Sequence, residues 1–428
     1  MSNIVEIGIL GMGNIGSEFV EILLKQTSEI EQASNKKIQI SKILVSNLNK
    51  KRNTGVNDNV LTTNPDEIFK NENISIVIEL MGGVDPAFEY VSKCLDSKKS
   101  VITANKDLIA THGKSLFLKA KSNNVSILFE AAVASGTPII STLIRDLSYS
   151  NINSIRAIIN GTSNFILSEM EEKNTEFDDA LELAQKLGYA EPDPTNDVEG
   201  YDARYKLAIL SSLSFNTEIE YNKLYVEGIS NIDSIDFQYA KELGYSIKLL
   251  AIAEKDKNNI LARVHPTMID SNSPLAKISG AMNAVEIKEN LLGTVIIQGP
   301  GAGPSPTSSG LLSDLINILK NSNNVLPSTP SLNNKFKVLN IDYLESRFYL
   351  RFIVKDKAGV LSKMSNILGE ENISIASVIQ KENVNLDDNY ADLVFMTYKC
   401  TQSSVNKALE KISKLSIVET LKSMIRVE

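Results

Sequence analysis

The run Val5-Glu6-Ile7-Gly8-Ile9-Leu10 passes directly into Gly11-Met12-Gly13-Asn14-Ile15-Gly16, and the helical pattern SEFVEILL follows at once. A strand, a glycine turn and a helix start in that order constrain the fold more than any other stretch. A strand that leaves its sheet through a helix returns parallel, with the helix covering one face. Gly11 allows the tight turn, Gly13 lets the backbone approach a pyrophosphate, and Gly16 lets helix pack on strand. The N–H groups at the helix start then face the anion. Leu10 closes the strand behind the turn. A glycine turn without ligand fits the same letters, but its place after the first strand points to a dinucleotide.

The alternation continues through ISKILVS, ISIVIELM, AFEYVSKCL, SVITA and VSILFE to about residue 130. The expectation is an α/β chain with a Rossmann-type parallel-sheet domain at 1–130, completed by about 299–320. An α+β substrate-binding, catalytic and dimerisation domain is expected at 131–298. Its helices are DDALELAQKLG, DARYKLAILSSL and FQYAKELGYSIKLLAIA, and its strands include ILARVHPTMI and GTVIIQGPG. Residues 321–340, rich in Asn, Ser and Pro, read as a linker. The block 341–428 gives strand, helix, two strands, helix and strand, a ferredoxin-like βαββαβ order.

Composition limits what such a chain serves. A net charge of −8 without a basic block argues against nucleic acid and anionic membrane as partners. Cys94 and Cys400 are far apart and form no CxxC, so neither a disulfide scaffold nor a thiolate metal site is expected. The first residues carry no basic stretch leading into an apolar core, and no run reaches the length of a membrane span, so a cytoplasmic protein is expected. His112 and His265 are isolated and read as structural.

The second strand ends at Ser46 and is followed by Asn47-Leu48-Asn49-Lys50-Lys51-Arg52. No acid stands where a ribose 2′-hydroxyl would want one, and Lys50 and Arg52 suit a 2′-phosphate, so NADP is expected, with NAD left open. A solvated basic turn is the bland alternative. Later strand ends carry Gly82-Gly83, permitting close backbone approach to a nicotinamide or ribose, and Asn105-Lys106.

The segment LGYAEPDPTNDVEGYDARYKLAIL places Glu191, Asp193, Asp197, Glu199 and Asp202 ahead of Lys206. Asp193, Thr195 and Asp197 have the 1, 3, 5 spacing of a calcium loop, but Val198 stands where that loop needs glycine. Asp202 and Lys206 fall on one helical face. An exposed ion pair would explain them and would be worth only a few tenths of a kcal/mol. Alternatively, a lysine beside an aspartate in a water-poor cleft protonates an oxygen that turns negative during hydride transfer, while nearby carboxylates hold a substrate ammonium.

These residues, with ELMGG at 79–83, VITANKDLIA at 101–110, EAAVASGTPII at 130–140, NGTSNFIL at 160–167 and GPGAGPSPTSS at 299–309, occur in the order expected of homoserine dehydrogenase, which the first 320 residues resemble. The resemblance implies interconversion of L-homoserine and L-aspartate 4-semialdehyde with NAD(P), in threonine, methionine and isoleucine biosynthesis. It makes Lys206 the proton donor, Asp202 its partner and Lys106 a second catalytic lysine. Glu191 becomes the carboxylate on the substrate's amino group, with Asp197 in the same cleft, and Gly301 a late cofactor contact. It also implies a monovalent cation, usually sodium, near Glu130, Val133, Ser135 and Thr137. Ser135, Thr137, Asn47 and the Thr307-Ser308-Ser309-Gly310 run depart from the family pattern. The terminal block, with Asp356-Lys357-Ala358-Gly359-Val360-Leu361, resembles an ACT regulatory domain. That implies an amino-acid effector, L-threonine foremost, near Gly359, and a homodimer or homotetramer. A catalytically silent dinucleotide-binding sensor is the competing reading.

Overall fold

The computed structural model describes residues 4–50, 52, 55–321, 332, 336–382 and 390–428. Lys51 and most of the expected linker 321–340 therefore lie outside the described residues. At that linker's end, the strand Lys337–Val338 pairs parallel with Asn259–Ile260. Two compact units emerge, each assembled from three chain segments. The first is Met1–Ile155, Tyr205–Asn222 and Asn283–Phe336; the second is Arg156–Arg204, Lys223–Met282 and Lys337–Glu428.

In the first unit β1 (Ile4–Leu10), β2 (Lys37–Leu44), β3 (Leu61–Thr62), β4 (Ile74–Glu79), β5 (Ser100–Thr103) and β6 (Ile127–Leu128) form a parallel sheet in the order β3-β2-β1-β4-β5-β6. The central strands are apolar because helices cover both faces. The strand order reverses between β1 and β4, which opens a crevice at their carboxyl ends. The helix Pro304–Lys320 returns late in the chain to this layer, where Leu311, Leu315 and Leu319 join Ile7, Ile9 and Phe19 in one core. Cys94 is fully buried, and burial pushes its thiol up to about 12, which rules it out as a ready nucleophile. His112 stacks on Phe88 at 4.1 Å between ring centroids.

The second unit carries a mixed sheet in which Tyr245–Asp256, Asn259–Asp270, Val418–Val427, Glu345–Lys355, Tyr390–Thr397 and Ile375–Glu382 are successive neighbours. The helix expected over FQYAKELGYSIKLLAIA stops at Glu242, and the rest is strand from Tyr245. Gly244, at φ +84°, turns the chain out of the helix, and the run beyond it is buried almost without a break, as a central strand requires. The terminal block has its expected βαββαβ order and its own core around Phe348, Leu350, Phe352, Met364 and Phe395. It is not a separate compact unit. Its last strand pairs Thr267 with Arg426 and Met268 with Val427, and on its other edge pairs with Glu345–Lys355. The end of the strand is thereby paired on both sides. Among the described residues no helix is long and apolar enough to cross a membrane.

His265 is a core residue, as expected. Its Nδ1 faces the Pro266 carbonyl at 2.9 Å, and no part of the side chain reaches solvent. Burial, reinforced by Arg426 and Arg263, holds its pKa well below the ordinary value. The unfolded chain thus takes a proton that the folded chain refuses, so stability falls as pH drops below ~6.5, by up to about 1.4 kcal/mol per unit. Denaturant titrations between pH 7 and 5.5 are expected to show this slope, and His265→Asn to flatten it. Parallel slopes in the two proteins would remove His265 as the cause.

Candidate active site

At the carboxyl end of β1 the glycine turn has the geometry its letters imply. Gly11 sits at φ +100°, and a Cβ there would lie 2.7 Å from the Leu80 carbonyl oxygen. A Cβ on Gly16 would lie 2.6 Å from the Gly11 oxygen, whereas one on Gly13 meets only open space. Gly13 is therefore not small for the protein's own packing, which leaves room above it for a ligand. Gly13, Asn14 and Ile15 are exposed at the start of the helix Asn14–Lys25, so its first N–H groups are accessible. Leu10 and Met12 bury their side chains in the core and offer only backbone.

A cavity of about 430 Å³ runs from Gly11 and Gly13 past Ser46 to Lys50, Arg52 and Tyr90. Arg52 is folded over the turn after β2, its Nη1 donating to the carbonyls of Asn47 at 3.0 Å and Lys50 at 2.9 Å. The two expected cations are thus placed on one cavity wall. Ser46 and Tyr90, not singled out in the sequence, share the lining.

At the end of β4, Glu79 is fully buried and accepts from the Met81 N–H at 2.7 Å and the Thr103 hydroxyl at 2.6 Å. Burial raises its pKa, while the bonds from Thr103 and Met81 oppose that rise. Asn105 donates to the Gly83 carbonyl at 2.6 Å and caps the helix Lys106–Ser122 by accepting from Leu108 at 3.0 Å. Glu79 and Asn105 together fix the Gly82–Gly83 turn, with Gly82 at φ +73°, and half-buried Lys106 at the helix start. In the sequence Glu79 is marked as an acid ending the strand ISIVIE, which is apolar apart from Ser75.

The 130s segment is packed tightly. Glu130 is buried, and its two carboxylate oxygens accept from Ile140 N at 2.8 Å and Ser141 N at 2.7 Å. Its own N–H donates to Asp314 at 2.8 Å, and burial holds the Asp314 carboxyl well above its usual range. The Ser135 hydroxyl donates to the Gly301 carbonyl at 3.2 Å, which ties the returning GPGAG segment to this one. Val133 and Thr137 are also buried, and Thr137 Oγ1 lacks a hydrogen-bond partner. Among the described residues no group of three or more His, Cys, Asp or Glu is placed to hold a metal ion.

In the second unit the acidic run separates into distinct roles. Asp193 closes a turn just ahead of the short helix Thr195–Val198, accepting from Thr195 N at 3.1 Å and its hydroxyl at 2.6 Å, and so is not part of an ion loop. Glu199 accepts from the Ser230 hydroxyl at 2.5 Å. Asp197 and Asp202 are drawn together by a residue the sequence had not singled out, Asn160. Its Nδ2 donates to Asp197 Oδ1 at 2.6 Å and Asp202 Oδ2 at 2.9 Å, while its Oδ1 caps the helix Gly161–Lys173 at Ser163 N. The side chain of Asp202 is only 8% exposed, so the bland reading of a solvated ion pair fails for it. Glu191 is exposed and Asp197 half-buried. Asp202 and half-buried Lys206 stand one turn apart on the helix Tyr201–Ser214.

The first unit offers an anion cradle at a strand's end and an amine at Lys106, and the second offers carboxylates oriented by an amide. Comparison with known proteins matches residues 11–130 to the family model "Homoserine dehydrogenase, NAD binding domain", 138–316 to "Homoserine dehydrogenase" and 348–416 to "ACT domain". A homoserine dehydrogenase of Pseudomonas aeruginosa is 39% identical over 99% of both chains. The crystal structure of a homoserine dehydrogenase from Thiobacillus denitrificans superposes with a TM-score of 0.93 at 38% identity, covering 99% of this chain and 98% of that one. A hyperthermophilic archaeal homoserine dehydrogenase in complex with NADPH matches 73% of this chain and 97% of its own, at 31% identity and a TM-score of 0.63.

Proposed function

Because the chain belongs to the homoserine dehydrogenase family, oxidoreductases that act on a CH–OH group and interconvert L-homoserine and L-aspartate 4-semialdehyde with NAD(P), we propose how its own residues divide that work. The N–H groups at Gly13–Gly16 bind the pyrophosphate, and the turn at Gly82 with Lys106 borders the nicotinamide end. When bound, the nicotinamide supplies or accepts the hydride. Lys206 gives a proton to the substrate oxygen in the reducing direction and takes it back in oxidation. Asp202, oriented by Asn160, keeps that amine in register, while Glu191 and Asp197 hold the substrate ammonium. The observation that carries this reading is the Asn160 amide shared by Asp197 and Asp202. A solvated acidic patch has no use for a buried donor that fixes two carboxylates.

NADP is the proposed cofactor, supported by Lys50 and Arg52 on the cavity wall, by the absence of an acid directly after β2, and by the NADPH bound in the archaeal relative. A monovalent cation such as sodium fits the 130s segment. Since Glu130's carboxylate is engaged, it would be held by main-chain oxygens of Glu130, Val133 and Ser135 with the Thr137 hydroxyl, a neutral oxygen set. For regulation we propose L-threonine as effector near Gly359, which stands at φ +89° before the helix Val360–Glu370, acting on a homodimer or homotetramer. A cytoplasmic location completes the proposal.

Purified protein is expected to reduce NADP with L-homoserine as donor, followed by absorbance of the reduced nicotinamide, and to be slowed by L-threonine. Arg52→Ala is expected to cut the preference for NADP over NAD by roughly 10- to 100-fold, the worth of a hydrogen bond to a charged group. Equal kcat/KM for both dinucleotides in the wild type would overturn the cofactor assignment.

A further inference from the structure

We propose that the terminal block is a working part of the substrate site: Arg426 on its last strand and Arg351 on its first position the acid-bearing residues 197–202 through the intervening segment 225–236. The proposal rests on the reading that Asp197 holds the substrate ammonium and Asp202 keeps the Lys206 amine in register.

All the contacts lie within the second unit. Arg426, 1% exposed on the strand Val418–Val427, donates to Glu227 at 2.5 Å, to the Tyr225 hydroxyl at 3.1 Å and to Gln402 at 2.9 Å. Tyr225 donates in turn to Glu227 at 2.7 Å. Glu227 leads straight into Gly228, where a Cβ would fall 2.4 Å from the Val198 carbonyl oxygen and 2.6 Å from Glu199 Cα. The next residue, Ile229, donates its N–H to that same Val198 oxygen at 2.8 Å, and Ser230 donates to Glu199. At the far end Asp233 and Asp236 form the capping box of the helix Ser234–Glu242. Both are held by Arg351 from the strand Glu345–Lys355, Asp236 at 2.6 Å.

Segment 225–236 is therefore bracketed by two buried guanidinium groups, and its middle is hydrogen-bonded to Val198 and Glu199. Those two residues sit in sequence between Asp197 and Asp202, the carboxylates that Asn160 joins. Buried ion pairs add little to stability over apolar packing of the same volume. Two of them at the ends of one short segment serve its placement, and this placement sets how close the acids come to a small zwitterion.

Three variants test the link. Gly228→Ala pushes the segment off Val198, Arg426→Met removes one bracket, and Glu227→Gln removes its charge at constant size. Each is expected to raise KM for L-homoserine about tenfold, since displacements below 1 Å at a site are felt strongly, and to leave KM for NADP within about twofold. An unchanged homoserine KM in variants with normal denaturation midpoints overturns the proposal, as does an equal rise in both KM values. Should Arg426→Met fail to fold, Gly228→Ala and Glu227→Gln decide. Asp197→Asn separates the premises. If it leaves homoserine KM unchanged, the substrate reading fails; if it raises KM while Gly228→Ala does not, only the bracketing fails.

Discussion

Lys206→Ala is expected to lower kcat for homoserine oxidation by about 10²–10⁴-fold, the usual contribution of a positioned general acid–base. The half-buried amine stands one helical turn beyond Asp202, whose carboxylate is oriented by Asn160. Removing it leaves the helix backbone and the Asn160 network in place. The loss is therefore expected in turnover, with dinucleotide binding by fluorescence titration unaffected. Lys206→Arg is the sharper control. Guanidinium keeps the charge but stays protonated, so it cannot take the alcohol proton, and it should remain nearly as slow as alanine. Turnover near wild type in Lys206→Ala would shift the proton transfer to Lys106, which opens the helix Lys106–Ser122.

Local patterns were enough to read the glycine turn, the parallel sheet and the βαββαβ block, because each is encoded by neighbours in sequence. Strand, glycine turn and helix are contiguous at 4–25. Where the pattern was ambiguous, tertiary burial decided: FQYAKELGYSIKLLAIA has helix formers throughout, yet after Gly244 the residues are enclosed by sheet neighbours and extend. The acidic run pointed to a candidate site, but not to which of its acids lie together. The partner that orients Asp197 and Asp202 is 37 and 42 residues away, and Asp193 and Glu199 are taken by local turns and by Ser230. The join between Asn259–Asp270 and the terminal strand was equally hidden, since a parallel pairing of Thr267 with Arg426 leaves no trace in the periodicity of either strand. Arg351 and Arg426, in the runs RFYLRFIV and SMIRV, are enclosed, although arginine is a residue that mostly stays exposed.

Arg351→Ala is expected to destabilise the protein by about 3–5 kcal/mol, the cost of removing one partner from a buried pair. The guanidinium is 2% exposed and faces three carboxylates: Asp236, fully buried, at 2.6 Å; Asp392 at 3.3 Å; and Asp233. Without it, Asp236 keeps hydrogen bonds from the Tyr349 and Ser423 hydroxyls but loses the guanidinium, and a second buried acid, Asp392, stands close by. Hydroxyls relieve desolvation; they do not cancel two like charges in a site with little water. Lysine is expected to restore less than half of the loss, because a single ammonium cannot fork between Asp236 and Asp392. The exposed pair Lys381–Glu242 supplies the contrast, and Lys381→Ala should change stability by no more than ~1 kcal/mol. Urea titrations of the two alanine variants at neutral pH make the comparison. A difference between them of under ~1 kcal/mol would mean that the arginine is balanced by something other than these carboxylates. Asp236→Asn combined with Arg351→Met should then destabilise less than the two single changes added together, because the double variant removes the buried charge of Asp236 together with the guanidinium that faces it.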